Sequence, residues 1–488
     1  MEDPTAPRIA ETHISYVILL GDRAYKLKKH VSYDFIDLST RELREKICHR
    51  EVELNRRLAP DVYLGVLDVV DSSGRPVDHL VEMRRLPDER RLATLVGGGA
   101  DVTACLRKLA GDLAAFHADA ETSDEIAAAA SPEAVRRKWT ENLDGMRPFV
   151  GTVLDASTLE RITDRVDRYL SGREPLIAER ASAGHARDGH GDLLADDIFC
   201  MDEGPRALDC IEFSDRLRWG DVLSDVAFLA MDLERLGASD AADRFLAWYR
   251  EFSGESYPSS LADHYVAYRA LIRSKVACLS HEQGHAESRD QARTLLALCD
   301  RRLELARIRL VLVGGLPGTG KSTLAGALSD QMGWAVLRSD EVRKDLAGVS
   351  HEEHPPHAFG EGLYSEEMTR RTYDELIARA QLLLTHGTSV ILDASWMRSS
   401  DRDRAAAVAG ETASDLVHLR CVLPADVAAE RMNRRRLQST DVSDADVATA
   451  RGMAESFEDW AEAIDVPTDA ATDQVVTGVL PLLSGGVR

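Results

Sequence analysis

The sequence predicts an α/β and α+β multidomain chain whose last third forms a parallel sheet with helices on both faces. Three observations predict it. At 488 residues the chain is too long for a single hydrophobic core. Beyond residue 308, apolar runs at 309–313, 334–339, 388–392 and 417–423 alternate with helical stretches. Between the first run and the helix after it stands a loop, Gly315 to Ser322, spaced G-x-x-x-x-G-K-[ST].

In chain order, residues 1–95 read as short β runs around one strong helix. Ser15–Leu20 and Arg23–Lys28, joined by Gly21-Asp22, form a hairpin pattern. Ser39-Thr40-Arg41-Glu42 is a capping box that opens a helix, and Pro60 closes it. Residues 96–305 read as mostly helical, with Ala-rich segments at 104–130 and 288–307. Two β-like pieces, 197–200 and 207–211, interrupt them. A helix then passes directly into the first strand of a third domain, 306–488.

Acidic residues number 83 against 60 Lys and Arg, a net charge of −23, which argues against nucleic-acid or anionic-membrane partners. It suits neutral or cationic small substrates. No apolar run approaches the ~18 residues of a membrane span, and the N-terminus lacks a basic-then-apolar signal. The seven cysteines are odd in number and lack CxxC spacing, so they read as reduced thiols of a soluble, cytoplasmic protein.

The glycine loop has the context that phosphate binding requires: a buried strand before it and a helix after it. Glycines let successive N–H groups face phosphate oxygens, and the helix N-terminus adds positive charge. Gly315, Gly318, Thr319, Gly320, Lys321, Ser322 and Thr323 are therefore the nucleotide-binding set. Lys321 reaches the β- and γ-phosphates, and the Ser322 hydroxyl ligates Mg²⁺. Asp340 and Asp393 end the next two strand patterns, where chemistry sits in such a fold. Asp393 has the position of a second Mg²⁺ carboxylate. Arg431 and Arg435 lie four apart on one basic helix face, suited to covering transferring phosphates. The segment His351-Glu352-Glu353-His354-Pro355-Pro356-His357 is not H-E-x-x-H, and its prolines forbid a continuous helix. It reads as a substrate-side loop rather than a metal site.

This region resembles the P-loop small-molecule kinases of the zeta-toxin and gluconate-kinase-like group. The residues carrying the likeness are Gly315–Thr323, Ser339–Arg343, Leu392-Asp393-Ala394, Arg431 with Arg435, and Val442–Asp446. The resemblance implies Asp340 as base on the acceptor hydroxyl, Arg343 as a substrate contact, and Arg431 and Arg435 as a lid. An N-cap role for Asp340 is the competing reading.

Upstream, His190-Gly191-Asp192-Leu193-Leu194-Ala195-Asp196-Asp197 is laid out like a kinase catalytic loop. Asp192 would accept the hydroxyl proton and Asp197, five residues on, would ligate metal. Glu212 is preferred to Asp209 as second metal ligand because Phe213 follows it. Lys28, favoured over Lys26 by its distance from the turn, pairs with Glu51 to orient the α- and β-phosphates. Asp221 and Asp225 more plausibly brace the loop than touch substrate. Arg269 and Arg273 share a helix face and read as partners of such acids or of an anionic substrate group.

Residues 10–300 resemble the aminoglycoside phosphotransferase family, specifically its branch fused to a P-loop kinase. Glu11–Ser15, Tyr25–Lys29, Leu58–Val66, the Asp192 loop, Asp209–Ala227 and Tyr268–Lys275 carry the likeness. It implies a bilobal protein-kinase-like fold, with an N-lobe at 1–95 and a helical C-lobe at 96–305. The family pattern H-G-D-L-H-x-x-N is changed here at Leu194 and Asp197. Asp can still bind Mg²⁺ through oxygen. The expectation is an ATP- or other NTP-using, Mg²⁺-dependent phosphotransferase with two kinase modules. Each would act on an alcohol group of a small molecule such as a sugar or amino sugar. The alternative confines catalysis to the P-loop domain, as kinase or ATPase switch, with a regulatory pseudokinase before it.

Overall fold

The computed structural model describes residues 7–12, 14–33, 36–350, 362–438 and 447–483. The chain divides into two compact units. The first holds Met1–Ile162, Ile177–Tyr257 and Ala262–Arg302, and the second holds Thr163–Leu176, Pro258–Leu261 and Leu303–Arg488. The His351–His357 and Val442–Asp446 segments lie outside the described residues.

In the first unit, a five-stranded antiparallel sheet runs in the order Arg8–Glu11, Ser15–Leu20, Arg23–Lys28, Pro76–Arg84, Tyr63–Val70. The hairpin turns at Gly21, where φ is +58°. Side chains along Arg23–Lys28 alternate, so Ala24, Lys26 and Lys28 share the buried face. That face packs with the helix Arg41–Asn55, whose Cys48 and Val52 join Val62, Tyr63, Val81 and Met83 in one core. The helix cap is Thr40 rather than Ser39: Leu43 N–H donates to Thr40 Oγ1 at 3.3 Å. The helix also ends at Asn55, five residues short of Pro60. The Ala-rich stretches form Thr103–Asp119 and Ser288–Leu305. The helix Val222–Arg235 is buried continuously from Val222 to Leu233, which places its aspartates inside the unit.

One reading of the cysteines is corrected. Cys105 and Cys200 form a disulfide, while Cys48, Cys210, Cys278, Cys299 and Cys421 are free and buried. The partners are 95 residues apart, on the Thr103–Asp119 helix and the Ile198–Met201 strand. Only the fold brings them together, so spacing rules had nothing to detect.

The second unit carries a parallel sheet ordered Ala335–Arg338, Val390–Asp393, Arg309–Gly314, Asp415–Val422, Ile464–Pro467. Four of these strands match apolar runs, and Ile464–Pro467 is additional. Both faces are covered, as the continuous hydrophobicity of the central strands requires. Leu310, Leu312, Val390 and Leu392 pack with Tyr373, Leu376 and Val408 on one side. Val311, Val313, Ile391 and Leu419 pack with Leu324, Leu328, Val476 and Val479 on the other.

At the end of the central strand, Gly314 is held by space. A Cβ there would stand 2.3 Å from Trp460 and 3.1 Å from Trp396, two fully buried rings. Neither ring can swing away without opening the core. Gly314→Ala is therefore expected to destabilise the second unit by about 1–3 kcal/mol, the usual cost of overpacking. Chemical denaturation followed by tryptophan fluorescence reads it, and an unchanged midpoint would show that the rings yield.

Candidate active sites

In the second unit the central strand is the point where the strand order reverses, and the Gly315–Gly320 loop leaves its carboxyl end. Ligands bind at such points. Gly315, Gly318 and Gly320 adopt φ of +126°, +80° and +90°, backbone that side chains disfavour. Thr319 Oγ1 donates to Leu316 O at 2.7 Å, and Thr468 Oγ1 donates to Thr319 O at 2.6 Å. Lys321 opens the helix Lys321–Met332 and donates to Leu316 O at 3.0 Å, which keeps its ammonium over the loop. Ser322 and Thr323 follow in the first turn, both exposed.

Asp393 pairs in register with Val313, so it ends its strand beside the loop. Burial pushes its carboxyl upward, and nearby Asp340 adds to that. Lys321, a hydrogen bond from Ser322 and Arg338 at 3.9 Å work against it. A hydroxyl bonded to a buried carboxylate beside a phosphate loop suits Mg²⁺, which takes one or two protein ligands and fills the rest with phosphate and water. Among the described residues no three His, Cys, Asp or Glu form a ready-made metal cage. Such a cage is not what a nucleotide-borne Mg²⁺ uses.

Asp340 lies in the first turn of Ser339–Ala347, whose N-cap is Arg338, so it does not cap the helix. It accepts from Arg343 Nη1 at 2.8 Å. Arg343 also stacks 4.7 Å over Tyr364 and leaves a buried Nε without an acceptor. Arg431 donates to Thr468 O at 2.8 Å, and its guanidinium faces Gly320. Arg435 stands one turn further along the helix Ala425–Gln438, and its side chain is outside the described residues.

In the first unit, Glu51 is wholly buried between two lysines. Lys26 Nζ lies 2.8 Å from Glu51 Oε1, and Lys28 Nζ lies 2.6 Å from Oε2. Lys26 also bonds Asp209, and Lys28 bonds Glu212 at 2.5 Å. Burial alone would lower both ammonium pKa values, but the carboxylates outweigh it and hold them above the ordinary range. Glu212, the preferred second metal ligand, is thus engaged by Lys28. Asp209 is the carboxylate that adjoins Asp192 and Asp197. The sequence did carry a signal for it: Asp209 lies in the second β-like piece, three residues before Glu212, and the structure gives it φ +64°, rare for a non-glycine.

Asp192, Asp197 and Asp209 form one electrostatic group. Burial first, then Asp209 and Asp192, push Asp197 well upward. Burial raises Asp192 to about 6 against the pull of Arg273 and Arg269. Lys26 holds Asp209 below the usual carboxylate range despite burial. Carboxylates crowded with too few cations suit a divalent ion bound between Asp197 and Asp209. The loop is braced from beneath by the Val222–Arg235 helix. Asp225 accepts from His190 N at 2.7 Å and Gly191 N at 2.8 Å, and Asp232 accepts from Ala195 N at 2.9 Å. Asp221 instead holds Arg180, at 2.6 and 2.8 Å. Asp232 escaped the sequence reading, although it stands two turns after Asp225 on the same face.

Glu51 serves two buried cations at once, so neutralising it leaves both short of a partner. Glu51→Gln is expected to cost about 3–5 kcal/mol, the range for breaking a buried pair from one side. Urea unfolding monitored by circular dichroism measures it, and a loss below ~1 kcal/mol would mean Asp209 and Glu212 suffice.

Comparison with known proteins places these sites in context. The AAA domain family matches residues 310–460. A gluconokinase from Sinorhizobium meliloti 1021 is 18% identical, covering 37% of this chain and 94% of its own, with a TM-score of 0.27. The GDP complex of aminoglycoside 2'-phosphotransferase-IIIa is 16% identical, covering 62% of this chain and 94% of its own, at 0.40. No helix among the described residues is long and apolar enough to cross a membrane. An uncharacterized protein of Mycobacterium tuberculosis, Rv2004c, is 43% identical over 452 residues, 93% of this chain and 90% of that one. The chain belongs to the family of that mycobacterial protein.

Proposed function

We propose that the chain is an ATP- and Mg²⁺-dependent phosphotransferase with two kinase-like modules, each moving a γ-phosphoryl group to a hydroxyl of a small molecule. The observation that carries this reading is a division of labour among carboxylates that recurs in both units. Asp340, held by Arg343, is distinct from the Ser322–Asp393 pair, and Asp192 is distinguished from the Lys26-held Asp209. In each case one carboxylate is suited to accept a proton while others are suited to a cation.

In the second unit, Lys321 and the loop N–H groups would hold the β- and γ-phosphates, with Ser322 and Asp393 holding Mg²⁺. Asp340 would take the acceptor's proton, oriented by Arg343. Arg431 and Arg435 would cover the transferring group. In the first unit, Asp192 would take the proton, Asp197 and Asp209 would hold Mg²⁺, and the Lys26–Glu51–Lys28 cluster would steady the phosphates. The bound cation supplies charge neutralisation between phosphate oxygens, and catalysis otherwise rests on positioning. Such ATP use fits a cytoplasmic protein, and the Cys105–Cys200 bond is the feature at odds with that location.

A second reading keeps catalysis in the P-loop unit and makes the first unit a nucleotide-binding or regulatory module. The engagement of Asp209 by Lys26 and of Glu212 by Lys28 favours it, because both carboxylates already have a cation.

Acceptor-dependent ATP consumption in single variants separates the two. Lys321→Ala and Asp192→Asn should each remove one share of the activity, the latter by about a hundredfold or more for the first unit's acceptor, as expected for a lost general base. Asp192→Asn with full activity toward every acceptor would leave the second reading. In the Lys321→Ala background, kcat/KM should fall about tenfold per pH unit below about 6, where Asp192 becomes protonated and can no longer accept a proton. A flat profile between pH 5 and pH 7, roughly the span around that value, would count against Asp192 as the base.

A further inference from the structure

The first unit contains a cavity of about 150 Å³ whose lining includes Lys138, Trp139, Asn142, Tyr268 and Arg269. It abuts the Asp192 loop. Arg269 donates to Ser224 O at 2.9 Å and to Gly191 O at 3.3 Å, and Gly191 immediately precedes Asp192. Sites for drug-sized ligands run from roughly 300 to 1,000 Å³, so this space suits one small metabolite and not a multi-ring antibiotic.

The charges on its wall are unbalanced. Its buried acids are already engaged: Asp225 by two backbone N–H groups and His117, and Asp221 by Arg180. Glu141 is exposed and lies beyond ion-pair distance of Lys138. The cations lack direct acidic partners, although Arg269 acts on Asp192 and Asp225 from beyond ion-pair distance. Among the described residues, Lys138 Nζ donates to Ala129 O at 3.0 Å and Trp219 O at 3.1 Å, and Arg269 to the carbonyls of Ser224 and Gly191. Neither has a carboxylate within ion-pair distance among the described residues. Burial, then Arg269 and Arg137, push Lys138 down to about 8, so it is still mostly charged at neutral pH and lacks a counter-ion. Trp139, fully buried, and Tyr268 pack on each other with ring centroids 5.1 Å apart and give that wall an apolar backing.

We infer that this cavity binds the acceptor of the first unit through an anionic group held by Lys138 and Arg269. The acceptor is then a small hydroxylated anion, a sugar phosphate or a sugar acid, and not an amino sugar. The inference rests on Asp192 being the phosphotransfer site. It also runs against the neutral or cationic substrates suggested by the net charge.

The test is calorimetric binding, without ATP, to the full chain carrying Lys321→Ala, which removes the P-loop lysine as a second anion contact. The probes are glucose 6-phosphate, gluconate, glucose and glucosamine, which range from dianion to cation. The anions should bind, glucosamine should not, and the tighter anion identifies phosphate or carboxylate as the recognised group. Adding Lys138→Gln should weaken the bound anion about tenfold, as for one lost charge-assisted hydrogen bond, while Lys138→Arg should retain it. Glucosamine binding as tightly as the anions, no anion binding at millimolar concentration, or an unchanged affinity in folded Lys138→Gln would each overturn the inference. If Lys138→Gln fails to fold, the four-probe series decides alone. Because binding is read without turnover, anion selectivity with no phosphoryl transfer would uphold the cavity assignment and sink the proposed function.

Discussion

Glu51 between Lys26 and Lys28 is the interaction on which the first unit's site depends. A wholly buried carboxylate is costly unless cations and hydrogen bonds surround it. Here the cations come from one face of a strand and the carboxylate from the helix packed on it. The lysines then reach on to Asp209 and Glu212, which arrive from the segment after the antiparallel pair Ile198–Met201 and Gly204–Ala207. Asn55, one turn beyond Glu51, accepts from Cys210 N at 2.9 Å and ties the same helix to the same segment. Sheet, helix and the Asp209–Glu212 segment are thus fixed in one network. None of the three can shift without unpairing a buried charge.

The same logic explains why the two units look alike chemically on unrelated topologies. Each gathers carboxylates into a region where the local cations do not fully balance them, and the imbalance shows as carboxyl groups pushed upward: Asp393 in one unit, Asp192 and Asp197 in the other. Asp225, by contrast, is held low by His117, His190 and Arg269 despite its burial. Asp225 braces the loop and Asp192 is left to titrate.

Most of the layout was legible in the sequence because it follows from local rules. The hairpin at Gly21-Asp22, the Gly315–Ser322 loop and four of the parallel strands all rest on periodicity or turn chemistry that acts within a few residues. What escaped depends on long-range packing. The Cys105–Cys200 bond, the sharing of Glu51 by two lysines and the place of Asp209 beside Asp197 join residues from distant segments. Strand parity showed that Lys26 and Lys28 face one way, yet it could not show that one carboxylate has two oxygens to offer them. Nor could the choice of Glu212 over Asp209 foresee that each would be bonded by a lysine, Glu212 by Lys28 and Asp209 by Lys26.

Net charge illustrates the same limit in the other direction. A chain at −23 attracts cations at long range, but solvent ions screen that field within about 8 Å at physiological ionic strength. Inside a cavity the balance is set by the few groups that line it and by whether each already has a partner. Asp221 and Asp225 count as acids in the composition and yet present no free charge, because Arg180 and the amides of His190 and Gly191 occupy them. Lys138 and Arg269 are a small share of 60 basic residues, but their donors end on neutral carbonyls. Partner counting at the wall, and not the sum over the chain, therefore decides which sign of ligand the site can hold.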